Sequence, residues 1–138
     1  MENLTVNKKI CVMFGEPSPE LTAEIAEKAI AEMKTEKELA ALFAKVENKA
    51  WWIEDGEYDF EEGTEEHKLA KAKSDLWFDL ADRLKNKIFD ILRSEGVEIP
   101  KTKQIVVLEP FMKRNGFKDG QGWWIYVDSI SKNRKRKI

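Results

Sequence analysis

The chain has 138 residues, the length of one domain that can bury a core without disulfides or a metal ion. Its composition, 42% hydrophobic and 36% charged with a net charge of -2, excludes a disordered chain, and its single cysteine, Cys11, excludes an internal disulfide. Neither a start resembling a signal peptide nor a run of about 18 apolar residues is present, so we expect a cytoplasmic protein without membrane insertion.

Residues 5–48 predict three short helices. Apolar residues at helical spacing indicate the first over residues 5–14, although the apolar run from Ile10 also fits a buried strand. The second begins at Ser18, a good N-cap ahead of a proline, and extends to about residue 34. Thr35 and Glu38 form a capping box for the third helix, which ends near residue 48.

The next segment joins the triplet Trp51-Trp52-Ile53 to an acidic run. Asp55-Gly56 is a two-residue turn signal, and it predicts a small hairpin of residues 51–54 and 57–60. That pairing places residue 54 opposite residue 57, and two glutamates in this position repel each other. An irregular acidic loop is therefore the alternative.

The longest predicted element is a central helix. Thr64 caps its start, carboxylates follow in the first turn, and one apolar stripe continues until Gly96. Such a helix is about 46 Å long at about 1.5 Å per residue, so it either spans the whole molecule or is broken near Ser74-Asp75. We expect it to form the spine of the fold.

The C-terminal third predicts a β-hairpin. Residues 104–109 and 123–128 are rich in β-branched and aromatic side chains, and we expect them to pair across residues 110–122. The predicted fold is α+β: one domain over residues 1–131 with three short N-terminal helices, a long central helix and a C-terminal β-hairpin. Residues 132–138 form a basic tail.

Charge is distributed unevenly along the chain. Up to Glu66 there are 17 acidic and 7 basic side chains, whereas from His67 onward there are 9 acidic and 17 basic ones. Clustered charge of this kind steers oppositely charged partners. The alternative is that the two blocks face each other within one folded domain.

The cysteine and the histidine predict neither a nucleophilic catalyst nor a zinc site. Cys11 lies in an apolar run, as a buried inert thiol does, and His67 lies among charged residues at a helix start. One cysteine and one histidine do not supply the usual ligands of zinc. We expect no cofactor and no resident metal.

The acidic segment 54–66 is the better candidate for a hard cation. Its carboxylates fall at ligand positions of a calcium-loop count, but Phe60 stands where that loop needs glycine. Such a run is more often a solvated loop or a partner surface. A metal-dependent enzyme built on Glu54, Glu57 and Asp59 is therefore a hypothesis of lower rank.

The segment 110–124 mixes basic and aromatic side chains. Its glycines precede a predicted strand rather than a helix, so they do not make a phosphate-binding loop. Basic groups beside exposed rings suit a protein partner or single-stranded nucleic acid, whereas buried rings indicate plain packing. The predicted partner-binding residues, which assume accessible rings in both tryptophan triplets, are Trp52, Lys113, Arg114, Phe117, Lys118 and Trp124.

These patterns predict a small accessory or regulatory protein, rather than an enzyme, that binds a macromolecule through aromatic and charged surfaces. A protein partner or self-association is favoured, because the acidic patch repels phosphates. Nucleic acid binding through residues 110–124 and the basic tail is the alternative.

Overall fold

The computed structural model describes residues 16–57, 59–120 and 123–127. Within them the chain forms helices α1 (Ala23–Glu32), α2 (Glu36–Glu57), α3 (Glu65–Ser94) and α4 (Ile105–Arg114), followed by strands β1 (Phe117–Asp119) and β2 (Trp124–Tyr126). The predicted first helix, residues 5–14, and the basic tail, residues 132–138, lie outside the described residues.

Side-chain caps start α1 and α2. Thr22 caps α1, and its hydroxyl accepts a hydrogen bond from the Ile25 amide at 3.2 Å. The predicted cap, Ser18, lies upstream of the helix with a φ of 45°. The capping box of α2 is confirmed: the Glu38 amide donates to the Thr35 hydroxyl at 3.1 Å, and the Thr35 amide donates to the Glu38 carboxylate at 3.0 Å.

The hairpin predicted over residues 51–60 is wrong, because α2 continues to Glu57. A buried stripe extends the helix through this segment, and turn signals do not outweigh such a stripe. Its members recur every three or four residues: Phe43, Val46, Ala50 and Ile53. The Asp55-Gly56 turn signal lies in the last turn of α2, so the helix ends after Trp51-Trp52-Ile53 rather than before it.

Helices α2 and α3 pack antiparallel and supply most of the core. The predicted long helix is confirmed by α3, which follows the Thr64 cap and ends before Gly96, whose φ of 87° suits glycine. Near the connecting loop the Ser74 hydroxyl donates to the Glu57 carboxylate at 2.8 Å. The buried residues of α3 that join the core of α2 are Trp77, Leu80, Ala81, Leu84, Ile88, Phe89 and Leu92.

The strand predicted over residues 104–109 is also wrong, because this stretch forms the start of α4. Its β-branched residues favour a strand locally. However, Leu108, Phe111 and Met112 recur at helical spacing, and all three are buried. Burial against the core therefore decides the conformation over local propensity.

The β-hairpin forms from residues further along the chain. Strands β1 and β2 pair antiparallel, with Phe117 opposite Tyr126 and Asp119 opposite Trp124. The predicted α+β fold, with its three short N-terminal helices, is thus corrected: the described residues form four helices and one two-stranded antiparallel hairpin.

Candidate functional site

The backbone of Trp124 attaches the hairpin to the middle of α2. The Trp124 amide donates to the side-chain oxygen of Asn48 at 2.9 Å, and the Asn48 side-chain amide donates to the Trp124 carbonyl at 3.0 Å. Both residues are buried, and the Trp124 indole packs against Phe43 with ring centroids 6.2 Å apart. A buried amide that satisfies both backbone groups fixes the position of the strand.

An open cleft of about 370 Å³ lies where the hairpin meets the helices. Its apolar lining comes from Trp51, Ile105, Leu108 and Trp124. Its polar lining comes from Glu47, Lys85, Gln104 and Asp119. Concave sites of this size, with apolar walls and a few placed polar groups, are the usual form of a ligand-binding site.

Glu47 lines the cleft and accepts a hydrogen bond from the hairpin residue Trp124. The indole N–H of Trp124 donates to Glu47 Oε1 at 2.6 Å. Burial raises the pKa of Glu47, and the hydrogen bond from Trp124 and the charge of Lys85 offset only part of this effect. The nearby Asp82 and Asp119 raise the pKa further. A carboxyl group with a raised pKa in a cleft marks a candidate functional site.

Trp51 gives the cleft an aromatic wall. Its half-buried ring meets the Phe78 ring nearly at right angles, with centroids 5.1 Å apart. Ile105, at the start of α4, continues the apolar lining and is 43% exposed. Because Phe78 holds the Trp51 ring before any ligand arrives, binding there loses less side-chain entropy.

Arg114, a predicted partner-binding residue, is engaged by two carboxylates of the chain itself. Its guanidinium donates to both oxygens of Glu36 at 2.7 and 2.8 Å and to both oxygens of Glu95 at 3.0 and 2.8 Å. The guanidinium also lies 4.9 Å from the centroid of the Phe111 ring. These contacts tie α4 to the start of α2 and the end of α3, and they hold the pKa of Glu36 below its ordinary value.

The other predicted partner-binding residues differ in their exposure. Lys113 and Lys118 are exposed, and Phe117 is half-buried in β1. Trp52 is half-buried and packs against the core from α2. Their assignment to a partner surface stays a prediction.

The expectation that the Trp124 ring is accessible is wrong, because this residue is 6% exposed. Alternate residues of a strand face opposite ways, and Trp124 faces the core.

Sequence reasoning missed the residues that the structure gathers around Trp124, because isolated charged residues on helices resemble a solvated face. One sequence signal could have pointed to Glu47: if Trp124 faces the core, its indole N–H needs a hydrogen-bond acceptor. The missed residues are Glu47, Lys85, Gln104, Ile105, Leu108 and Asp119.

The acidic segment 54–66 does not gather into a metal site within the described part of the chain. Glu57 is buried at the end of α2, where it accepts the hydrogen bond from Ser74. Burial raises the pKa of Glu54, and the charges of Glu57 and Asp55 add to this effect. Among the described residues, no three histidine, cysteine, aspartate or glutamate side chains are placed to hold a metal ion.

Comparison with known proteins assigns no family. The chain matches no protein-family model, and no curated protein or solved structure is significantly similar to it. Within residues 16–57, 59–120 and 123–127, no helix combines the length and the apolar composition that crossing a membrane requires.

Proposed function

We propose that the protein is a non-enzymatic accessory protein of the cytoplasm that binds a protein partner at the cleft. The observation that carries the proposal is the open cleft of about 370 Å³ with its fixed aromatic wall. Such a site lets a partner bury an anchoring side chain. Val106, 61% exposed, lies next to Ile105 and extends the apolar surface along the start of α4.

Binding fits the lining of the cleft better than catalysis does. Glu47 has a raised pKa, as a general acid does. However, the described residues that line the cleft include no serine, threonine, cysteine or histidine. Apart from carboxylates and Lys85, the lining therefore offers no side chain for nucleophilic catalysis.

Nucleic acid is the less favoured partner class. Lys113 and Lys118 are exposed, but Arg114 is already bound by two carboxylates. The buried Trp124 ring offers no face on which a base can stack. Glu47 adds a carboxylate inside the cleft, and phosphate groups avoid such a site.

The test compares two matched substitutions of exposed apolar residues. Ile105→Lys places a charge in the wall of the cleft, whereas Leu69→Lys changes a position on α3 that is 70% exposed and outside the lining. Wild type and both variants are immobilised at equal density and incubated with an extract of the native host. We expect a protein that wild type and Leu69→Lys retain equally and that Ile105→Lys retains about tenfold less.

The measurement is quantitative mass spectrometry of the retained proteins, and circular dichroism checks that both variants remain folded. Equal retention by Ile105→Lys would contradict the proposal. So would a loss that follows Leu69→Lys instead. Retention of nucleic acid that disappears at high salt would support the alternative partner class.

A further inference from the structure

Glu47 has unused capacity to accept hydrogen bonds. The Trp124 indole donates to Oε1, and no second donor or cation contacts Glu47 among the described residues. By contrast, Glu36 accepts three hydrogen bonds, two from Arg114 and one from Asn115. A carboxylate has about four acceptor positions, so Glu47 can accept a donor from another molecule.

The charges around the cleft favour a cation. Glu47 and Asp119 line the cleft, and Asp82 lies near enough to raise the pKa of Glu47. Lys85 is the cation of this group, and its Nζ lies 3.4 Å from Asp82 Oδ1. Glu47 and Asp82 carry two negative charges against the single positive charge of Lys85, so the potential beside Glu47 is negative.

The chain contains a buried cation that is held by a carboxylate and two backbone carbonyls and lies over an aromatic ring. Lys49 is 3% exposed, and its Nζ lies 2.6 Å from a carboxylate oxygen of Glu16. The same Nζ donates to two backbone carbonyl oxygens at 3.1 and 2.8 Å, and it lies 5.4 Å from the centroid of the Trp77 ring. Ring, carboxylate and ammonium therefore stabilise one another in this protein. In the cleft, Trp51 and Glu47 present the same pair of groups to an incoming molecule.

We propose that the cleft receives a lysine or arginine side chain of the partner protein, with its cationic group at Glu47 and its methylene stem along Trp51. This inference rests on the proposed function and specifies the partner: a segment whose basic residue is flanked by apolar ones. The flanking residues cover the exposed side chains of Ile105, which lines the cleft, and Val106, the next residue in the chain. A neutral anchor leaves the charge of Glu47 unpaired, so charge sets the specificity.

The test uses two blocked tripeptide amides as probes, acetyl-Leu-Lys-Leu and acetyl-Leu-norleucine-Leu. Each is titrated at low salt into the full-length chain labelled with nitrogen-15, and the indole N–H signals of Trp51 and Trp124 are followed by NMR. We expect saturable shifts with the lysine peptide and about tenfold weaker binding of the norleucine peptide. An arginine peptide should behave as the lysine peptide does.

A matched pair of substitutions assigns the binding to Glu47. Glu47→Gln keeps the size of the side chain and an oxygen that can accept from Trp124, so the cleft remains while its charge is removed. We expect this variant to bind the lysine peptide about tenfold more weakly than wild type does. Glu98→Gln, at an exposed position outside the lining, should bind as wild type does.

Four outcomes would overturn the inference: equal binding of the norleucine peptide, unchanged binding by Glu47→Gln, tighter binding of an acidic peptide, or shifts of the same indole signals by a single-stranded oligonucleotide. Light scattering provides a further check, because self-association that Glu47→Gln abolishes would assign the cation to a second copy of this chain. The extract experiment separates the two proposals. A protein lost by Ile105→Lys but retained by Glu47→Gln supports the proposed function and overturns this inference, whereas retention by both variants overturns both.

Discussion

Glu36 and Glu47 are glutamates of one helix in opposite environments. Glu36, at the start of α2, accepts three hydrogen bonds, and those from Arg114 hold its pKa low. Glu47, about three turns further along, accepts one from Trp124, and burial raises its pKa. The first carboxylate joins three helices, whereas we expect the second, once ionised, to lower the stability of the unbound protein. A carboxylate of this kind inside a cleft supports the proposed binding role.

The largest expected effect comes from detaching the hairpin that brings Trp124 to Glu47. Asn48→Ala leaves the buried amide and carbonyl of Trp124 without their partners, so we expect the free energy of unfolding to fall by about 3 kcal/mol. Chemical denaturation measures the change. Asn86→Ala, at an exposed position on α3, is the control and should change stability by less than about 0.5 kcal/mol. A similarly small loss for Asn48→Ala would mean that the hairpin is held elsewhere.

The next effect tests the structural carboxylate. Glu36→Gln weakens the contacts with Arg114, and because both side chains are partly exposed we expect a loss of about 1 kcal/mol at neutral pH. The folded-state pKa of Glu36 lies below its unfolded value of 4.5, so its contribution is present above pH 4.5 and disappears as the pH falls through the folded-state pKa. Denaturation of wild type, Glu36→Gln and the control Glu98→Gln across this range checks it. A loss that persists in acid would refute the charge-based account.

Glu47→Gln should move stability in the opposite direction. The folded-state pKa of Glu47 lies above its unfolded value of 4.5, so ionisation begins to cost stability above pH 4.5, and the cost is complete above the folded-state pKa. We expect a gain of about 0.5 kcal/mol at neutral pH. The gain should shrink as the pH falls from the folded-state pKa towards 4.5 and be absent below it. Destabilisation by Glu47→Gln at neutral pH would remove the contrast with Glu36.

The smallest expected effect is a change in one titration curve. Lys85 lowers the pKa of Glu47, so Lys85→Met should shift the midpoint of the Glu47 titration to higher pH. The indole N–H signal of Trp124 reports this titration by NMR, because it donates to the Glu47 carboxylate. Lys87→Met, at an exposed position on α3, should leave the midpoint unchanged. A downward shift with Lys85→Met would contradict the electrostatic arrangement of the cleft.

The two tryptophan triplets explain which parts of the fold were predictable. In α2 the triplet buries Ile53 and leaves both rings half-buried, whereas at β2 it buries Trp124 and leaves its neighbours half-buried. The same three side chains therefore face different ways because the backbone period differs.

The capping box of α2 and the span of α3 were predictable, since both depend on signals close together in sequence. The helical state of residues 105–114 was not, because tertiary burial outweighs its β-branched start.

The candidate site was less accessible to sequence reasoning than the helices. Of the predicted partner-binding residues, Trp124 lies in the cleft, but as a buried wall and hydrogen-bond donor rather than an exposed ring. The cleft joins α2, α3, α4 and the hairpin, and no spacing rule relates positions that distant. Its key contact, from Trp124 to Glu47, spans 77 residues.

The attachment of Trp124 to Asn48 has a consequence for protein synthesis. The two residues are 76 positions apart, and the cleft takes both a wall and a hydrogen-bond donor from the later one. A nascent chain that has emerged from the ribosome only as far as α4 has the helical pair but lacks this wall. The cleft, and with it the proposed recognition of a basic partner, is therefore complete only after the hairpin has been translated and folded onto α2.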